Sequence, residues 1–244
     1  MNGGFRNKWA VITGASHGIG AALARKMMDE GANVCLIARS EAELAAICAE
    51  GRRKGVEAIY RAIDLRNREA LEELCAELCN TLPAVDFLFC NAGKSICRKI
   101  IDARDRLHDY DRTMDLNYRS VVALSMALLP QLTKSRGSIV YSSSVSTLYP
   151  AVPGWSAYHA SKAAANMWLE TARAEFLVYG VKVKIAYLPL VHTPMSEVNR
   201  FYRNMPAMSA DKAALVLMRL SKSLRLSYMP WWARLTAPIS HMIH

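Results

Sequence analysis

Tyr158-His159-Ala160-Ser161-Lys162 follows a run of serines and opens an apolar-periodic segment from Ala157 to about Tyr179. On a helix, positions i and i+4 share a face, so the Tyr158 phenol and the Lys162 ammonium project side by side into whatever cleft the helix borders. A phenol is a poor acid near neutrality, with an unperturbed pKa of about 10. A fixed cation beside it favours the phenolate and makes the pair a candidate proton donor. A Tyr and a Lys at this spacing are common by chance, so their meaning depends on the elements that position them.

The first of those elements is at the other end of the chain. Trp9-Ala10-Val11-Ile12 is a short apolar run that leads into Thr13-Gly14-Ala15-Ser16-His17-Gly18-Ile19-Gly20, after which Ile19, Leu23 and Met27 recur at helical spacing. This order predicts strand, glycine turn and helix. The glycines let the backbone approach a pyrophosphate, and the helix start offers unpaired N–H groups to it. Gly14, Ser16, His17, Gly18, Ile19 and Gly20 are therefore candidate cofactor contacts. Asn33 to Ala38 reads as a second buried strand. Arg39 and Ser40 follow it, where a fold that prefers NAD usually carries a carboxylate for the ribose hydroxyls. A cation there suits a 2′-phosphate, with His17 and Ser40 as added donors, and points to NADPH. Ser40 with Glu43 also fits a helix capping box, and the two roles can coexist.

A third strand, Val56 to Ile63, ends at Asp64-Leu65, where a carboxylate could accept from an adenine amine. A helix from Asn67 to Asn80 precedes a fourth strand, Val85 to Cys90, which ends in Asn91-Ala92-Gly93, small residues where a cofactor ring would pass closely. Strands and helices alternating in this way require a parallel sheet with right-handed crossovers, and the ligand crevice lies at the carboxyl ends of its strands.

TGASHGIG, the NAG at Asn91 to Gly93, Asn117 in Met114-Asp115-Leu116-Asn117, the serine-rich strand end and YHASK, in that order, resemble the short-chain dehydrogenase/reductase family from about Trp9 to Met195. The resemblance implies a Rossmann-type doubly wound parallel sheet of about seven strands in one α/β domain. It also implies a tetrad in which Tyr158 is the general acid and Lys162 holds the nicotinamide ribose. Asn117 would keep a relay water in place through a kink in its helix, and Ser144 would bind the substrate carbonyl. Tyr158 lies one position further from Ser144 than in the family, which leaves Ser143 and Ser146 as rivals. The resemblance also assigns Pro189, Val191 and Thr193 to the cofactor site, with Val191 and Thr193 at the positions that contact its carboxamide. Pro189 is followed by Leu190 where the family commonly has glycine, which puts an apolar wall beside the nicotinamide. The family usually forms dimers or tetramers.

Composition narrows the field. The chain has 244 residues, 52% of them apolar, with no apolar run near the ~18 residues of a spanning helix. The start, Met1 to Lys8, lacks a signal-peptide pattern, and the six cysteines show no framework spacing, so a reducing cytoplasm is expected. Cys75 and Cys79 read as buried thiols, and no metal site is expected. The formal charge of +10 suggests an anionic partner, and no nucleic-acid-binding signature is present.

The domain is expected to span 1–228, with a substrate lid at 189–209. Val198, Phe201, Tyr202, Met205 and Met208 in that lid suit a long, flexible apolar chain. PLVHTPM, then Tyr202 to Pro206, then Met208 to Ala214 are similar to the C-terminal part of bacterial fatty acyl-CoA reductases of the short-chain type. That similarity implies a lipophilic carbonyl substrate, carried as a Coenzyme A or acyl-carrier-protein thioester or presented as a long-chain aldehyde or ketone. The stretch 229–244 sets Trp231, Leu235, Ile239 and Met242 at roughly helical spacing after Arg219, Lys222 and Arg225. It fits a peripheral membrane contact, an entrance for a fatty substrate, or a subunit contact. The alternative to an enzyme is a catalytically silent NADP(H)-binding sensor or scaffold, which would need no acid aligned with a carbonyl.

Overall fold

A computed structural model describes residues 4–197 and 205–240. Seven parallel strands run in the order β3 (Ala58–Ala62), β2 (Asn33–Ala38), β1 (Trp9–Thr13), β4 (Phe87–Cys90), β5 (Ser138–Ser144), β6 (Lys182–Leu188) and β9 (Ser227–Tyr228). Successive side chains of a strand point to opposite faces, and here both faces are covered. Ala10 and Ile12 of β1 pack into one apolar layer with Leu23, Met27, Leu44 and Leu217, while Trp9 and Val11 pack into the other with Leu74, Leu78, Leu124 and Leu169. The first layer is built by α1 (Gly18–Asp29), α2 (Glu41–Arg53) and α9 (Ala210–Lys222). The second is built by α3 (Arg68–Thr81), α5 (Ser120–Ala127) and α7 (Ser156–Leu177). The doubly wound Rossmann-type sheet is thus present, and its order reverses between β1 and β4, which opens a crevice at their carboxyl ends.

Two strands are shorter than the apolar runs that predicted them. Val56 closes the end of α2 by donating to the Gly51 carbonyl at 3.3 Å. Val85 donates to the Gln131 carbonyl at 3.2 Å, and pairing with β5 starts at Phe87. Backbone groups already taken by a helix end or a loop cannot enter the ladder.

Helix α4 (Leu107–Met114) runs into a π-helical turn, Asp115–Arg119, and then into α5. Helix α6 (Leu129–Ser135) leads back to β5. After β5, a 3₁₀ turn at Val145–Leu148 and a loop through Pro150, Pro153 and Gly154 lead into α7. Two short strands, β7 (Val191–His192) and β8 (Met208–Ser209), pair at the base of the expected lid, with α8 (Pro194–Glu197) after the first. The described part ends in α10 (Trp231–Ser240). Among the described residues no helix is long and apolar enough to cross a membrane.

Candidate active site

The glycine turn between β1 and α1 is a cradle that larger residues could not form. A Cβ on Gly20 would collide with the Gly14 carbonyl, and Gly18, at φ +55°, would bring one to 2.9 Å from Thr193 Cγ2. Thr193, beyond β7, therefore closes one side of the turn. Its hydroxyl and backbone N–H engage Ser196 at the start of α8. Ser16, His17 and Ile19 lie on the same turn, and α1 begins at Gly18, with its first N–H groups directed at the crevice.

Asn91 holds the crevice together. Its Nδ2 donates to the Thr13 carbonyl at 3.2 Å, and its Oδ1 accepts from Ser142 at 3.2 Å, joining β1, β4 and β5. Thr13 Oγ1 accepts the N–H groups of Asn91 and Ala92, both at 3.0 Å. Thr13 carries no signal of its own in the sequence, although it ends β1 beside the glycines. Gly93 follows, close enough that a Cβ there would lie 3.6 Å from Lys162 Nζ.

The expected tetrad converges beyond Gly93. Lys162 is buried, and its Nζ donates to the Ser142 carbonyl at 2.7 Å. Tyr158 is half-buried with Ser144 beside it, and the Ser144 hydroxyl meets that of Ser146 at 2.9 Å. Ser143 is buried, and its hydroxyl has no hydrogen-bond partner among the described residues. Of the three candidate serines, Ser144 is the one placed against the phenol.

Asn117 sits in the π-turn with its side chain fully used. Oδ1 accepts from the Lys94 N–H at 2.8 Å, and Nδ2 donates to the Lys94 carbonyl and to Ser161 Oγ, both at 2.9 Å. Ser161 in turn donates to the Tyr158 carbonyl at 2.8 Å. The expected kink is a π-turn, and the Asn117 carbonyl accepts from the hydroxyl of Tyr141 at 3.2 Å. Neither Ser161 nor Tyr141 stands out in the sequence. A serine within a helix and a tyrosine within an apolar strand carry no local signal.

Electrostatics depart from the expectation of a phenol made acidic by its lysine. Burial raises the Tyr158 pKa above the ordinary phenol value, and the Ser144 hydrogen bond works against that rise. Burial also pulls Lys162 down to about 7. Desolvation penalises the charged form of each group, and an ammonium half-discharged at neutrality is a weak source of field.

The adenosine end has a mixed charge. Arg39 is exposed at the end of β2, and no ion pair holds it among the described residues. Its charge helps lower the Asp64 pKa, but the larger cause is the hydrogen bond from Arg66, whose guanidinium engages both Asp64 oxygens. Asp64 thus enters the crevice as half of an ion pair, with Leu65 buried behind it. Ser40 precedes α2 but makes no side-chain capping bond. Glu43 turns instead toward His17, Nε2 to Oε1 3.8 Å, so the expected capping box does not form.

Pro189 and Val191 lie where β6 leads into β7, and the Leu190 carbonyl accepts from Met208 at 2.8 Å. Val198, Phe201, Tyr202 and Met242, named above for the lid and the 229–244 stretch, lie outside the described residues. Helix α10 packs beside the serine end of β5. Tyr149 meets Thr236 hydroxyl to hydroxyl at 2.5 Å and stacks on Trp232 at 6.4 Å. Ala233 and Ala237 are buried, while Trp231, Leu235 and Ile239 on the opposite side are 75%, 63% and 55% exposed.

The family described as short chain dehydrogenase matches residues 8–204. A fatty acyl-CoA reductase of Acinetobacter baylyi is 38% identical over 210 residues, which cover 86% of this chain and 71% of the relative. A fatty acyl-CoA reductase of Mycobacterium tuberculosis is 35% identical over 208 residues, covering 85% and 71%. A short chain dehydrogenase from Burkholderia cenocepacia, solved in complex with NADP, superimposes with a TM-score of 0.81 at 26% identity, covering 92% of this chain and 96% of that one.

Proposed function

The chain belongs to the short chain dehydrogenase family, and on that premise we propose that it is an NADPH-dependent reductase of a lipophilic, fatty-acyl-derived carbonyl, with an acyl thioester as first candidate. The observation that carries this reading is the placement of the Ser144 hydroxyl beside the Tyr158 phenol, with Lys162 one turn further along the same helix and its Nζ bound to the Ser142 carbonyl. Two hydroxyl donors converging on one point suit an oxygen that gains charge during reaction.

The crevice fits a nicotinamide dinucleotide. Gly14, Gly18 and Gly20 let the turn fold tightly against Ala92, Thr193 and the Gly14 carbonyl, so that the α1 N–H groups and the Ser16, His17 and Ile19 backbone would border a pyrophosphate. Arg39 and Ser40 would meet a 2′-phosphate, with Arg66 close by on the Asp64 side. Asn91, Ala92 and Gly93 would border the ribose and ring, and Pro189, Val191 and Thr193 the carboxamide. When bound, NADPH supplies the hydride. Tyr158 gives its proton to the carbonyl oxygen, Ser144 orients that oxygen, and Lys162 steadies both the phenol and the ribose hydroxyls. Asn117 keeps the π-turn shaped around Lys94 and Ser161. For a thioester, the products are an aldehyde and the free thiol of the carrier.

The acyl preference draws support from the relatives' activities and from α10. We assign α10 to the substrate entrance, because Trp232 and Thr236 reach Tyr149 just past Ser144. A peripheral membrane contact is less well supported. Arg219, Lys222 and Arg225 precede α10 in sequence, yet the end of α9 is tied to the beginning of β5, where Ser138 donates to the Ser221 carbonyl, at the opposite end of the strand from Ser144. Assembly as a dimer or tetramer is part of the same proposal.

NADPH oxidation across acyl-CoAs, acyl-carrier-protein thioesters, 3-oxoacyl thioesters and long-chain aldehydes tests the reading. Turnover with at least one class, abolished by Tyr158→Phe, is expected. NADPH binding without turnover of any class would replace it with the sensor reading.

A further inference from the structure

We propose that Tyr141 is a positioning residue whose ring face serves as the counter-charge that seats the Lys162 ammonium. The inference rests on Lys162 being the cation of the reductase site. Lys162 Nζ lies 4.5 Å from the centroid of the Tyr141 ring, and both residues are buried. No carboxylate pairs with Lys162 among the described residues. A buried ammonium without a carboxylate needs another source of negative potential, and the face of an aromatic ring supplies one.

The ring is held at both ends. Its backbone lies in the middle of β5, paired with Cys90 on one side and Ile185 on the other. Its hydroxyl donates to the Asn117 carbonyl at 3.2 Å, so the strand and the π-turn fix the ring plane between them. The same residue thereby spans two members of the tetrad, Asn117 through its oxygen and Lys162 through its face.

The titratable groups that face Lys162 are few. Cys90 approaches from β4, and burial holds its thiol neutral at neutral pH, with a pKa of about 12. Tyr141 approaches from β5 with its own phenol pushed well above the ordinary value by burial. Tyr158 lies one turn earlier on α7. None supplies a formal negative charge near neutrality, which leaves the ring and the Ser142 carbonyl as the stabilising partners.

The test is an NMR titration of Lys162 in protein labelled with 13Cε-lysine, without substrate, for the unmodified chain, Tyr141→Phe and Tyr141→Leu. Phe keeps the ring and loses only the hydroxyl, so its Lys162 titration should stay within a few tenths of a pH unit. Leu removes the ring and should lower the titration by about one unit. If Tyr141→Leu does not fold, pentafluorophenylalanine at position 141 keeps the shape while reversing the ring's charge distribution, and the same downward shift is expected. The alkaline limb of the pH profile of kcat/KM should follow the NMR value in each variant. An unchanged titration after removal or fluorination of the ring overturns the proposal, as does an equal shift in Tyr141→Phe. Because the titration needs no turnover, a protein that reduces none of the substrates above would defeat the reductase reading while leaving this one measurable.

Discussion

Ser144 and Tyr158 face each other across the gap between the end of β5 and the start of α7, where the serine hydroxyl acts to lower the phenol's pKa. Tyr158→Phe should lower kcat by about 10²–10⁴-fold and Ser144→Ala by about 10²–10³-fold, the ranges for losing a general acid and one oxyanion donor. The NADPH dissociation constant, read by fluorescence quenching, should change less than about fivefold in both. A Ser143→Ala variant that lost as much activity would reassign the serine.

Arg39 stands exposed at the strand end, so its contribution to phosphate binding is discounted for solvent screening. Arg39→Asp should reduce the preference for NADPH over NADH by about tenfold or more, measured as the ratio of kcat/KM values. Equal use of the two coenzymes by the unmodified protein would refute the phosphate role.

Burial leaves Lys162 at about 7 in the folded protein against about 10.4 in the unfolded chain. Between those values the unfolded state binds more protons, so stability rises with pH. The penalty is complete below pH 7 and is relieved above it. Cys35 and Cys90, each pushed up to about 12 by burial, act in the opposite direction above about pH 8.5, where unfolded thiols ionise. Unfolding in urea with reductant present should therefore show stability increasing between about pH 7 and 8.5, by up to about 1.4 kcal/mol per unit. Lys162→Met should flatten the rise between about pH 7 and 8, above which Lys184, lowered to about 8 by burial, adds to it; an unchanged slope between pH 7 and 8 in the variant would mean that another group causes it.

Lys184 is a second buried lysine, and its role is structural. From β6 its Nζ donates to the carbonyls of Leu220, Ser221 and Ser223 at 2.9, 2.8 and 2.7 Å, which satisfies the end of α9. Lys184→Met should lower the unfolding free energy by about 2–4 kcal/mol, since buried carbonyls are left without donors. Intact NADPH affinity at low temperature would show that the loss is not in the site. A cost below about 0.5 kcal/mol would mean that water replaces the ammonium.

Trp232 stacks on Tyr149 near the serine end of β5. Trp232→Ala should raise KM for long-chain substrates several-fold while leaving short-chain ones nearly unchanged, because a tryptophan offers about 150–250 Å² of surface to an acyl chain. Equal effects on both lengths would remove α10 from the entrance. Co-sedimentation with anionic liposomes that is lost on deleting 229–244 would restore the membrane contact in its place.

The residue order carried a great deal. Apolar runs ending in Gly14, Arg39, Asp64 and Asn91 required a parallel sheet with its crevice at those ends, because backbone pairing and right-handed crossovers leave few other arrangements. Helical spacing alone put Tyr158 and Lys162 on one face. What the order could not contain was anything decided by contacts between distant segments. Which serine meets the phenol depends on the path of the loop between β5 and α7. Glu43 abandons a local cap for His17, Asp64 is claimed by Arg66, and the basic run before α10 ends up at the far end of the sheet from it. The lysine's charge state and the Tyr141 ring beneath it depend on burial, and burial exists only once β4, β5, the π-turn and α7 have closed around the same few ångströms.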